Sequence, residues 1–207
     1  MIRAIASLSF AIKLSYCPSQ KGSMSLLAEQ LVEEWMIRQG FFTVRGLRDG
    51  VSEIDLLGVR KKGTAVEGWH IEAQVSFRPV SYVTPLTDGL SKKYGKKKTS
   101  AWKRSPSIVR ECVEGWIEKK FDSEAKRLVR EKMWPGIEWQ KILVHGFIKN
   151  GDEETELSRR LKLISFHVVL HDVCFGKHGG YPGAVGADIA EIVGYFEGLQ
   201  SEIQKRG

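Results

Sequence analysis

Cysteine is scarce in this chain. Only Cys17, Cys112 and Cys174 occur in 207 residues, odd in number and far apart. This excludes a disulfide framework and offers no thiol spacing suited to a structural zinc, so the three read as reduced thiols in a cytoplasmic protein. No run of about 18 apolar residues occurs, and no membrane-spanning helix is expected. There is no internal repeat and no linker-like stretch. The one glycine-rich segment, "GKHGGYPGAVG", lacks the Lys-Ser/Thr of a phosphate loop and does not match the dinucleotide fingerprint. It reads as a turn. Acidic residues are in deficit: Lys and Arg exceed Asp and Glu by 32 to 25, a formal charge of +7. That balance favours polyanionic partners without identifying one.

What is present suits a single globular α/β domain, with 42% hydrophobic and 28% charged residues. Residues 1–23 have a basic start and an apolar run, as a targeting peptide would. Lys13 interrupts the run and no cleavage site follows. The segment reads as a disordered extension, or as translated sequence ahead of a start at Met24, with one domain over 24–207. From Met24, Leu27, Ala28, Leu31, Val32 and Trp35 recur at helical spacing, and Gly40 stops the helix. "FFTVRGL", "EIDLLGV" and "GWHIEAQVSF" then read as a three-stranded meander, with "KKGT" as a turn. Pro79 to Ser91 reads as loop. Ser105-Pro106 reads as the start of a long helix running towards Trp134-Pro135. "KILVHGFI" reads as a strand, "ETELSRRLKLI" as a short helix and "SFHVVLHDVCF" as another strand. A last helix is expected to bury Ile189, Ile192, Val193 and Phe196.

Two of the strands carry isolated acids. Asp55 lies within Ile54-Asp55-Leu56-Leu57, and Glu72 within His70-Ile71-Glu72-Ala73. Strand side chains alternate, so Ile71, Ala73 and Val75 take one face and His70, Glu72, Gln74 and Ser76 the other. Pairing through the intervening turn would bring Asp55 close to Glu72. Two half-buried carboxylates repel unless positive charge sits between them. Mg²⁺, which takes one or two protein carboxylates with waters and phosphate oxygens, is a natural candidate. On the first helix, Glu29 flanks the apolar face beside Val32 and Met36, where it can point into a cleft beside the sheet. Glu33 lies further out on the same side.

The stretches "AEQLVEEWMIRQGFFTVR", "EIDLLGV" and "WHIEAQVS" resemble the core of the PD-(D/E)XK nuclease superfamily, most closely its archaeal Holliday-junction-resolvase-like branch. The likeness covers about residues 24 to 78. It implies a restriction-endonuclease-like αβββαβ core with a central mixed sheet flanked by helices. It also implies metal-dependent hydrolysis of DNA phosphodiesters, with Mg²⁺ or Mn²⁺ as the ion. Carried over residue by residue, Asp55 and Glu72 would bind the metal, and Glu29 would bind it directly or through water. Gln74 would stand where the family has a lysine. That is the departure: glutamine offers hydrogen bonds without charge, so a lysine from elsewhere, such as Lys92 or Lys93, would have to supply the cation.

The segment "KKYGKKKTSAWKR" holds seven basic residues and no acid in thirteen positions. Lys92, Lys93, Lys96, Lys97, Lys98, Lys103 and Arg104 are the expected phosphate contacts. Tyr94 and Trp102 are placed either to stack on an unpaired base or to pack under the loop. His167 and His171, four residues apart on an extended strand, would be about 13 Å apart and could not share a metal; with His145 they read as structural. The leading expectation is a metal-dependent DNA endonuclease without membrane attachment. A homodimer is expected from mechanism, since cutting both strands takes two sites. The alternatives are an inactive nuclease-fold module that binds DNA, and a subunit of a defence, repair or transposition complex.

Overall fold

The computed structural model describes residues 21–50, 52–76, 80–175, 191 and 193–195. Helix α1 (Lys21–Arg38) leads into strands β1 (Phe42–Asp49), β2 (Ser52–Lys62) and β3 (Ala65–Gln74). After α2 (Asp88–Tyr94), α3 (Pro106–Ile117) and α4 (Glu124–Met133) come β4 (Trp139–His145), α5 (Gly151–Ser158), β5 (Lys162–Ser165) and α6 (Phe166–Phe175). The strands form one five-stranded sheet in the order β1-β2-β3-β4-β5. The first three pair antiparallel, and β3–β4 and β4–β5 pair parallel. The molecule is an α/β fold with a mixed sheet flanked by helices, and the expected αβββαβ order is met.

Alternation along the strands builds the two apolar layers. Leu56, Trp69, Ile71, Ile142 and Val144 face α1 and α6, where they meet Ala28, Leu31, Val32, Trp35, Met36, Phe166, Val169 and Val173. On the opposite face Leu143 packs with Val109, Val113, Trp116, Ile117, Phe121 and Leu157. Each fully buried Leu, Ile or Phe contributes roughly 1.5–3 kcal/mol, so β3 and β4, covered on both sides, hold the fold together. The apolar stripe of α1 is the one expected from spacing. Gly40 ends that helix at φ +82°, and the Phe41 N–H turns back to the Met36 carbonyl at 3.1 Å.

Several sequence expectations are corrected. Helix α1 begins at Lys21, three positions before Met24. Pro79 to Ser91 is not loop throughout: α2 starts within it, its first turn capped by the Thr87 hydroxyl accepting from the Leu90 N–H. The single long helix is broken. It starts as expected, with Ser105 at the cap and Pro106 first in the helix. It widens into a π-helical turn over Glu118–Asp122 and restarts as α4 after Ser123, whose backbone is extended. "SFHVVLHDVCF" is helix α6 and not a strand. Its β-branched residues suggest a strand, but Phe166, Val169 and Val173 fall at helical spacing, and burial against α1 prevails. Of the last expected helix only Glu191 and residues 193–195 are described; they are helical, with Val193 half-buried. Residues 1–20, with Cys17, and the glycine-rich stretch 176–186 lie outside the described residues. No helix among the described residues is long and apolar enough to cross a membrane.

Candidate active site

Strands β2 and β3 pair with Leu56 opposite Ile71. One step further along this register sets Asp55 opposite Glu72, on the face covered by α3, the π-helical turn and α4. The Ala73 N–H donates to Asp55 Oδ2 at 2.9 Å, which ties the acid to the neighbouring strand. Burial, followed by the charge of Glu72, raises the Asp55 pKa from 3.8 to about 7. Lys120 and the Ala73 N–H pull it down less strongly, and Glu29 adds a smaller upward push. Asp55 thus titrates near neutrality, and an approaching cation would displace its proton.

Glu72 is fully buried. Lys120 Nζ donates to one of its carboxylate oxygens and Lys126 Nζ to the other, both at 2.6 Å. His70 Nε2 faces the same carboxylate at 3.5 Å, longer than an ordinary N–H···O bond. Burial alone would raise the Glu72 pKa, but His70, Lys120 and Lys126 more than offset it, and Glu72 stays ionised. Burial likewise opposes the charge of Lys120, yet Glu72 and Asp55 raise its pKa overall. His70 is lowered to about 4, chiefly by burial, and is neutral at pH 7. Its Nδ1 lies 2.7 Å from Arg130 Nη1. Since a guanidinium only donates, Nδ1 accepts and Nε2 carries the proton towards Glu72. Lys120 and Lys126 thus hold the Glu72 carboxylate from both sides.

Lys120 and Lys126 were not anticipated, while Lys92 and Lys93, the expected sources of a cation, are exposed on α2. The signals are faint. Lys120 continues the spacing of Val109, Val113 and Trp116, an apolar face on which a lysine is out of place. Lys126 and Arg130 lie one turn apart, and both are buried on the inner face of α4. The π-helical turn completes the arrangement by burying Phe121 while Lys120 reaches Glu72.

The other expected site residues divide. Gln74 is half-buried at the end of β3, opposite His145 of β4. Glu29 is half-buried at the edge of α1 and close enough for Asp55 to feel its charge. Glu33 is held instead by Arg45 and Thr43 on β1. Among the described residues no three His, Cys, Asp or Glu side chains converge on a point where a metal ion could sit. Glu29, Asp55 and Glu72 are therefore not gathered into a ready-made triad. Asp55 and Glu72 offer oxygen donors of the kind a hard divalent cation takes, but both Glu72 oxygens already accept from lysine ammonium groups.

The basic segment is exposed at Lys92, Lys93, Lys96, Lys97, Lys98 and Lys103, with Lys98 paired to Asp88 at 2.6 Å. Arg104 is a correction. It is only 4% exposed; its Nη1 donates to the Thr84 carbonyl at 2.7 Å, and its guanidinium lies 3.8 Å from the centre of the Tyr82 ring. It anchors the loop, and it is not a surface contact for DNA. Tyr94 and Trp102 pack on each other with ring centres 5.0 Å apart. Trp102 rests against the small core of Leu86, Leu90, Ile108 and Cys112. His167 and His171 lie one turn apart on α6, not 13 Å apart on a strand, and both are exposed.

No family model matches this chain, and no curated protein matches it. A solved structure, that of the protein of unknown function AF1548, is similar at TM-score 0.37 and 13% identity, covering 79% of this chain and 63% of that one. The chain thus spans less than two thirds of that protein's length, and a likeness this weak carries no argument about fold or function.

Proposed function

We propose that the chain is a metal-dependent nuclease that hydrolyses DNA phosphodiester bonds, with its active site at Asp55 and Glu72. The observation that carries this is the pair itself. Two acids stand opposite each other at one end of the central strands, one titrating near neutrality and the other ionised and touching lysine ammonium groups. Carboxyl groups with perturbed pKa values cluster at functional sites, and a pair of opposed acids in neighbouring strands supports that reading here. Asp55 and Glu72 would hold Mg²⁺ or Mn²⁺, with Glu29 as the nearest further acid. When bound, such an ion polarises a phosphodiester and lowers the pKa of an attacking water. Lys120 stays protonated and supplies the full positive charge that Gln74 lacks, and Gln74 can still donate an amide N–H to water or phosphate. The exposed lysines of residues 92–103 would track the DNA backbone.

A second reading is a nuclease-fold module that binds DNA without cutting it. It is favoured by the saturation of Glu72, each of whose oxygens already accepts from a lysine. The two readings separate on thermal stability titrated with Mg²⁺ or Mn²⁺. A cation that binds the folded site raises the melting temperature by mass action, and the rise is absent in Asp55→Ala. An inactive module shows no such difference.

A further inference from the structure

Arg104 is a buried guanidinium without an acid. It is 4% exposed, and among the described residues it forms no ion pair. Its Nη1 donates to the Thr84 carbonyl, and one face of the group lies on the Tyr82 ring. Its Nε–H is buried and has no partner. A buried charge normally has a counter-ion, and a buried N–H normally has an acceptor. The Tyr82 ring and the Thr84 carbonyl offset part of the cost, but neither is an anion. Glu153, the buried acid of this region, is engaged elsewhere: its oxygens accept from the Val83 and Thr84 N–H groups and from the Thr84 hydroxyl.

Arg104 lines a cavity of about 270 Å³ between residues 80–85 and residues 98–100. The two walls are clipped together. The Leu86 N–H donates to the Lys98 carbonyl at 2.9 Å, and the Arg104 N–H to the Tyr82 hydroxyl at 3.0 Å. The lining holds a second cation, Lys98, and among the described residues no Asp or Glu. Phe77, Arg78 and Pro79, which precede this wall and lie outside the described residues, include no acid either. Lys98 pairs with Asp88 at the surface, but an exposed pair of this kind is weak and leaves further ammonium donors. The Thr84 and Ser100 hydroxyls are already bonded, so recognition falls to the two cations. We propose that this cavity is an anion site that takes a terminal phosphate group, with Arg104 inside and Lys98 at the rim. Such a group carries close to two negative charges near neutrality, which answers both cations; a carboxylate answers one. A water-sized group needs roughly 10–15 Å³ of cavity, so a phosphate fits with room for part of what it is esterified to. The source is either a small phosphorylated molecule or the phosphorylated end of a strand. The site is independent of the nuclease reading, and of the exposed lysines expected to track a DNA backbone.

The test is a calorimetric titration of the full chain with inorganic phosphate, and separately with acetate, in EDTA at neutral pH and constant ionic strength. The wild-type chain should bind phosphate at one site and prefer it to acetate. Arg104→Met, which keeps an apolar side chain on Tyr82, should weaken phosphate binding about tenfold or more. Lys98→Ala should weaken it about threefold, with the melting temperature unchanged. A wild-type chain that binds no phosphate at millimolar concentration overturns the site, and so does equal affinity for acetate. So does full phosphate affinity in folded Arg104→Met. If Arg104→Met fails to fold, Lys98→Ala decides, and unchanged affinity there overturns the site. Thymidylate oligonucleotides with and without a 5′-phosphate then separate the sources. A preference for the phosphorylated strand that Lys98→Ala reduces assigns the site to a strand end; equal binding of the two strands, with inorganic phosphate still bound, assigns it to a small phosphorylated molecule.

Discussion

Asp55 sets the clearest expectation at the scale of the residue. A carboxyl group whose pKa is higher in the folded than in the unfolded state favours folding fully below the unfolded pKa. That contribution is lost as pH rises between the two values. For Asp55 the window runs from 3.8 to about 7, and across it the folded state should lose up to about 4 kcal/mol relative to a non-titrating side chain. Asp55→Asn retains an acceptor for the Ala73 N–H and removes the titration. In urea denaturation with EDTA, the variant should gain on the wild type steadily from pH 4 to pH 7 and level off above. His70, with its lowered pKa, gives a slope of the opposite sign in both proteins and cancels from the difference. Parallel curves would show that Asp55 ionises as freely as on a surface. The two lysines at Glu72 should part company in the same way. Lys126 is 4% exposed and Lys120 26% exposed at the side chain. Lys126→Met should cost roughly 3 kcal/mol of stability by weakening a buried ion pair. Lys120→Ala should leave the protein folded and lower the cleavage rate about a hundredfold. Equal stability losses in the two would make both merely structural.

At the scale of the element, the π-helical turn over Glu118–Asp122 and the loop around Arg104 matter most. Wide helical turns recur at functional sites, and this one joins α3, which packs on the sheet with apolar side chains, to α4, which turns Lys126 and Arg130 inward. No side chain in "EKKFD" announces the change of pitch, and for that reason the sequence suggested one long helix and did not reveal which lysine meets Glu72. The meander was legible because Gly40, the turn at Gly63 and the alternation around Asp55 and Glu72 are local signals; the packing of α6 was not, because only contact with α1 distinguishes it from a strand. In the basic segment the sequence could not tell buried from exposed cations, which depends on Tyr82 and Thr84, some twenty residues away. Lys96→Ala and Lys97→Ala should each lower the salt dependence of DNA binding by about one counterion without touching stability. Arg104→Ala should destabilise the fold by roughly 2–4 kcal/mol, since it strips a buried carbonyl of its partner, and leave the salt dependence of the remaining folded protein unchanged. The reverse assignment would return Arg104 to the DNA surface.

At the scale of the whole molecule, the mixed sheet gathers chemistry at one end. Strand β2 enters there as β3, β4 and β5 leave, so Asp55, Glu72 and Gln74 share a single edge. The opposite edge carries the tight turn between β2 and β3 around Gly63. This division follows from two antiparallel pairings followed by two parallel ones. At that edge Asp55 is half-buried and titrates near neutrality, while Glu72 is fully buried and ionised between Lys120 and Lys126. The most direct test is cleavage of plasmid and branched DNA in Mg²⁺, Mn²⁺ or EDTA, with Asp55→Ala run alongside as a folded control. The account predicts cutting that needs the divalent ion and vanishes in the variant while DNA binding persists. A folded wild-type protein that binds DNA and cuts in neither metal, or cuts equally well without Asp55, would contradict it.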